Sequence, residues 1–360
     1  MSYSDSTAAA LERGCHKPHV TVPSPPAATA VFLSYVRRKL VLFAAFSGGT
    51  AVLAVLAITQ GAYPLSVSNV IQALAGLAEG PTQVVVWNIR MPRIIAALAV
   101  GWGLSLSGLS IQSLLKNPLG SPSTLGISQG AAFGAAAAII LFGGRVFSVT
   151  LLAFGGALCA TLIILALARL RRLSPEAVIL AGVALSSLFA SATTLLQYVA
   201  TETQLATVVF WTFGDVARSN WSEIVLMAVA AGAATVYWMV RRWDLNALAS
   251  GEETARGLGV DVDRVRLEGM MTAALVAALA TAFHGVIAFV GLIAPHIARR
   301  LVGADHGLLI PFSALLGALL LLSADTFGRI LVGSGALPVG VVTSFLGAPT
   351  FLYLLIRGYR

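Results

Sequence analysis

The sequence predicts an all-α membrane protein, a bundle of ten spans, from three observations. Of its 360 residues 58% are hydrophobic and 11% charged, with a mean hydropathy of +0.87. Soluble domains carry roughly a quarter charged residues, so this chain has too few polar side chains to cover a water-soluble globule. Apolar stretches then recur at about 20 residues, the length that crosses a hydrocarbon core about 30 Å thick at about 1.5 Å per residue. Finally, the 23 lysines and arginines fall mostly on alternate connections between those stretches.

The first span is 40–59, an uncharged run directly after Arg37, Arg38 and Lys39. Further spans follow at 94–115, 125–142, 148–168, 178–200, 222–240 and 267–288. A short apolar piece at 289–297 cannot cross alone, and 307–327 and 338–356 complete the ten. The runs are continuous, rich in Ala, Leu and Gly, and lack period-2 alternation, which disfavours a lipid-facing barrel. Glycines inside them (Gly101, Gly103, Gly108, Gly130, Gly134, Gly155, Gly156) predict close helix packing, because small residues let helices approach in lipid. Residues 1–39 differ. They are polar and hold Pro18, Pro23, Pro25 and Pro26 ahead of any apolar run. They predict a mostly disordered tail and lack the early apolar core of a cleavable signal peptide. The expected division is thus a tail, 1–39, and a membrane domain, 40–360.

Counted by connection, 18 basic residues lie on the tail and even connections. Only Arg90, Arg93, Arg145, Arg218 and Arg329 lie on the odd ones. The positive-inside rule places both termini in the cytoplasm. The net charge of +8 is therefore topological, and no nucleic-acid partner is expected; lipid is. Cys15 in the tail and Cys159 inside a span form no disulfide framework. His284, His296 and His306 do not share a helical face as an i, i+4 pair would, so they predict capping or interface residues and no metal site.

The spans hold almost no carboxylate: Glu268 begins one and Asp325 lies near the end of another. Ion-coupled carriers bind their driving ion with such groups. No phosphate-cradling Gly-x-x-x-x-Gly-Lys-Ser/Thr loop is present either. A transporter of this kind takes its energy from another subunit or is a passive channel; a membrane enzyme would need a polar catalytic cluster, and none stands out.

Four connections carry the remaining information. WNIRMPR (87–93) places two arginines around Pro92 at the outer mouth. QSLLKNPLGSPSTLGISQG (112–130) breaks the apolar pattern on the inner side. NALASGEETARGLGV (246–260) predicts a short helix in which Glu252, Ala255 and Leu258 share one side; Gly251 precedes it and Gly259 can end it in the left-handed conformation. The fourth group is FVGLIAPHIARRLVG (289–303), ADTFGR (324–329) and LPVGVVTSFLGAP (337–349).

At these stretches, and at AGVALSS (181–187) and FWTFGDVARSNW (210–221), the chain resembles the FecCD-type permeases of ABC importers. The matching motifs run in order from about residue 40 to 360. The resemblance implies a bundle of the type II ABC importer permease kind in the bacterial inner membrane, importing a ferric siderophore, with haem or cobalamin as alternatives. It implies a second permease copy, two cytoplasmic ATPase subunits and a periplasmic binding protein. No cofactor is expected on this chain, ATP-Mg being held by the ATPase subunits. It assigns binding-protein docking to Arg90, Arg93 and Arg329, and ATPase coupling to Gly251, Glu252, Ala255, Leu258 and Gly259. It puts the fifth and tenth spans on the pore and the cytoplasmic gate at Ser174, Pro175 and Glu176. The chain departs from the family pattern at Pro175 and Glu176, where the cobalamin-type member has small hydroxyl residues, at Ala336, and at Gly307.

Overall fold

The computed structural model describes residues 25–61, 63–78, 80–170, 174–332 and 337–357. Residues 1–24, Arg171, Arg172 and Ala336 lie outside the described residues. No strand occurs among the described residues.

The chain divides into two units, 1–42 and 43–360. In the first, the described part is helical: α1 (Pro25–Thr59) begins at Pro25, well before the apolar run. The expectation of a mostly disordered tail therefore does not hold for 25–39. The Lys39 ammonium lies 3.7 Å from the Tyr35 ring centroid, one turn back.

The second unit holds the bundle. Among the described residues of the whole chain, seven helices are long and apolar enough to cross a membrane. They include α1, α4 (Met91–Leu114), α6 (Val146–Arg169) and α7 (Pro175–Tyr198). The others are α9 (Trp221–Val240), α12 (Val262–His284) and α14 (His306–Val332). Three shorter helices, α5 (Ile127–Leu141), α13 (Val290–Val302) and α15 (Val339–Arg357), lie at the remaining expected stretches, α5 and α15 being apolar. The sequence did not announce α2 (Val67–Leu74), α3 (Pro81–Val84), the π-helical stretch Val85–Arg90 leading into α4, α8 (Glu202–Thr212) or α10 (Arg242–Ala249). The helix α11 (Glu252–Gly257) lies where a short helix was expected.

The seventh expected span ends early. Helix α12 stops at His284, residues 285–289 are irregular, and Phe289 adopts a left-handed φ of 67° before α13 starts. Irregular backbone is tolerated at membrane depth where protein covers it, and Gly285 and Ile287 are buried.

Helix α4 is the axis of the unit. Nearly all of it is buried, and it packs against α14, α12, α13 and α9. Glycine permits this. A Cβ on Gly108 would lie 1.7 Å from the Gly291 carbonyl oxygen, and one on Gly101 would lie 2.3 Å from that of Gly317. Gly155 has open space around it and packs against nothing. Replacing Gly108 with Ala forces α4 and α13 apart. The expected cost is about 1–3 kcal/mol, read as a lower melting temperature of the detergent-solubilised chain.

Candidate functional site

Among the described residues the ion pairs of the bundle gather at its two ends, α4 running between them. At the end predicted to face outward, Arg90 and Arg93 open α4 while Asp325 and Arg329 stand one turn apart on α14. Arg93 Nε donates to Asp325 Oδ1 at 2.8 Å, and its Nη2 lies 3.8 Å from Asp215. Arg329 Nε pairs with Asp325 Oδ2 at 3.2 Å, and its Nη1 donates to the Ala57 carbonyl at 3.0 Å. Arg90 donates to the carbonyls of Ile58 and Tyr63. Asp325 is fully buried, and Arg90 and Arg329 are 4% and 8% exposed.

The structure therefore brings the three expected docking arginines together but holds them inward, satisfied by Asp325 and by backbone carbonyls. The resemblance assigns them to docking, and in the structure their guanidinium groups are turned to these internal acceptors. The reason is physical: a guanidinium next to a bundle of helix ends finds carbonyls and a carboxylate closer than water. The partners, Asp215 and Asp325, were not among the predicted site residues. Asp325 lies 232 positions from Arg93, a distance over which spacing carries no signal.

At the opposite end, α11 has the caps the sequence predicted. Gly251 has φ +133° and Gly259 φ +85°. The Val260 N–H reaches the Ala255 carbonyl at 3.0 Å and the Gly259 N–H reaches that of Arg256 at 3.0 Å, a Schellman closure. The three residues expected on one side separate in exposure: Ala255 is buried, Glu252 is half-buried and Leu258 is 69% exposed. Glu252 pairs with Arg266, which is itself almost wholly buried and donates onward to the Leu114 carbonyl at 3.3 Å. Ser174 caps α7 by accepting the Ala177 N–H at 3.3 Å, with Pro175 at the first helical position and Glu176 in the first turn. The expected gate and coupling residues then meet. A cleft of about 960 Å³ is lined by Ser174, Pro175 and Glu176 on one side and Gly251, Glu252 and Arg266 on the other.

Both span carboxylates are occupied by arginine. Glu268 accepts from Arg264 at 2.7 Å and Arg241 at 3.0 Å, and Asp325 serves Arg93 and Arg329. Beyond its span, Arg241 also donates to Asp244 at 3.0 Å, which raises its pKa above the usual guanidinium value. Neither carboxylate resembles the unpaired, cavity-facing group an ion-coupled carrier uses.

Two of the described histidines sit in buried hydrogen bonds. His284 bonds Ser219 Oγ through Nε2 at 2.8 Å, and His306 bonds Ser113 and Asn246.

Comparison with known proteins decides the family. The FecCD transport family matches residues 49–357, most of the chain. A Methanocaldococcus jannaschii sequence named for an ABC transporter permease is 49% identical over 91% of this chain and 97% of its own length. This chain belongs to the FecCD transport family. The vitamin B12 import system permease BtuC of Vibrio cholerae is 39% identical over 77% of this chain and 84% of its own. The hemin transport system permease HmuU of Yersinia pestis is 37% identical over 76% and 83%. A solved inward-facing structure of a metal-chelate type ABC transporter superposes with a TM-score of 0.78 at 32% identity, covering 89% of this chain and all of that one. The FecCD chain is thus a multi-pass membrane protein of the type II importer permease fold, an ABC importer permease of the BtuC and HmuU kind. Permeases of this family are transport components, and a separate ATPase subunit hydrolyses ATP.

Proposed function

We propose that this chain is the inner-membrane subunit of an importer that takes up a bulky metal chelate, a ferric siderophore first and haem or cobalamin second. The observation that carries this is the cleft in which α11 meets the cap of α7, a span largely exposed along its length. Along α7 the exposed side chains Ala184, Ser187, Ser191, Thr194 and Tyr198 recur at helical spacing. Four of these carry hydroxyls, and small hydroxyl residues suit close approach to a second copy of the chain. Closure of two ATPase subunits, which hold ATP-Mg, would reach the path between the two copies through α11, with both chain termini cytoplasmic. The likeness to a metal-chelate type transporter supports the chelate class, and the names of BtuC and HmuU favour cobalamin and haem as the second reading.

On the outer side, a periplasmic binding protein would deliver cargo. Because Arg90, Arg93 and Arg329 already donate to Asp325 and to backbone carbonyls, the binding protein's carboxylates reach them only by competing with those acceptors. The cargo is tested on that binding protein, by thermal shift with ferric chelates, haemin and cyanocobalamin. Stabilisation by a ferric chelate is expected, stabilisation by haemin or cyanocobalamin alone gives the second reading, and stabilisation by none of the three overturns the chelate class.

A further inference from the structure

Two buried polar chains leave the α10–α11 segment and end on consecutive residues of α4. In the first, Glu252 of α11 pairs with the buried Arg266, whose Nε donates to the Leu114 carbonyl. In the second, Asn246 of α10 accepts from both the His306 backbone N–H at 2.9 Å and its Nδ1 at 2.7 Å, while Asn246 Nδ2 donates to Asp305 at 2.8 Å. With Nδ1 donating, His306 Nε2 accepts from Ser113 Oγ at 2.9 Å. His306 is also the first residue of α14, and 3% exposed.

From there α4 and α14 are joined three times along their length. The joins are Ser113 to His306 at one end, Ser105 Oγ to the Ser313 carbonyl at 2.6 Å beside the Gly101–Gly317 approach, and Arg93 to Asp325 at the other end. The 24 residues of α4 span about 36 Å at about 1.5 Å per residue.

We propose that these two latches, Glu252–Arg266–Leu114 and Asn246–His306–Ser113, couple the α10–α11 segment to the α4–α14 pair, which carries its displacement to the arginine cluster at the far end. Either latch alone fixes one point. Two latches on adjacent residues, reached from helices before and after Gly251, clamp the segment against rotation as well as translation. Ser113, Asn246, Arg266 and His306 act here as positioning residues. Paired helices joined at both ends move as a body, since packed interfaces shift between discrete arrangements and do not stretch. The importer role rests on the proposed function above; the mechanical coupling within the chain does not.

The test is hydrogen exchange on the isolated chain in phosphatidylethanolamine–phosphatidylglycerol nanodiscs. Ser113→Ala removes the hydroxyl that serves His306, and Arg266→Lys keeps the charge but loses the Nε donor to Leu114. In the double variant, amides of 85–93 at the far end of α4 should exchange about 5-fold faster, the effect of losing about one buried hydrogen bond of stabilisation. Ser113→Ala alone, which alters one buried hydroxyl, should give a smaller rise at the same residues, and Ser113→Thr should restore protection. Faster exchange confined to residues around 113–116 and 246–266, with 85–93 unchanged, would overturn the coupling. With ATPase subunits assembled, ATP should alter exchange at 85–93 in the wild type and not in the double variant. Failure of the wild type to assemble would count against the importer reading alone, and the exchange result on the isolated chain would still decide the latches.

Discussion

Replacing Asp325 with Ala should nearly abolish recovery of folded protein. This carboxylate is fully buried and is the charge partner of both Arg93 and Arg329. Removing one member of a buried ion pair leaves an uncompensated charge, at a cost of about 3–5 kcal/mol. Domains are stable by only about 5–15 kcal/mol, so the variant should melt far below the wild type or aggregate on extraction. Restoring charge balance should recover part of the loss, so Asp325→Asn with Arg329→Met should melt above Asp325→Ala. A wild-type melting curve for Asp325→Ala would show that the cluster is open to solvent and the arginines free, as an exposed docking rim requires.

The second large effect is expected at Leu258. This side chain is 69% exposed at the end of α11, while Ala255 of the same short helix is buried beneath it. An exposed apolar residue beside a rigid cap is a natural anchor for a partner groove. Leu258→Asp should leave the permease within about 0.5 kcal/mol of wild-type stability, as surface changes do. It should weaken assembly with the ATPase subunit by at least about 2 kcal/mol, roughly 30-fold. Pull-down of the ATPase subunit on tagged permease measures it. Equal recovery on wild type and Leu258→Asp would remove α11 from the interface.

Much of the bundle was legible because lipid imposes length. A chain that must satisfy its own backbone in hydrocarbon advertises each helix as an apolar run, and the seven long apolar helices among the described residues lie where such runs do. The ends were less legible. The polar stretch 25–39 reads as tail, yet it is helical and runs on into the apolar run as α1. The break at 285–289 is hidden inside an apolar run, since polarity does not change where the helix stops. At the site, the caps of α11 were readable from Gly251 and Gly259, whose positive φ only glycine adopts readily. The resemblance assigns Ser174, Pro175 and Glu176 to a gate, and their local geometry is a helix cap facing the same cleft as α11. The internal pairing of Arg93 with Asp325 and the His306 network could not be read. Each joins residues far apart in sequence, and a lone arginine before a span looks the same whether it faces a partner or a buried carboxylate.

The central claim is that this chain is a conduit driven from one face by a separate ATPase. Its most direct test is ATP hydrolysis and cargo uptake in proteoliposomes, with the purified chain alone and with its ATPase subunits and loaded binding protein. The chain alone should give neither hydrolysis nor uptake, and both should appear once the other subunits are present. Hydrolysis of ATP by the chain alone, or uptake that needs no ATPase subunit, would contradict it.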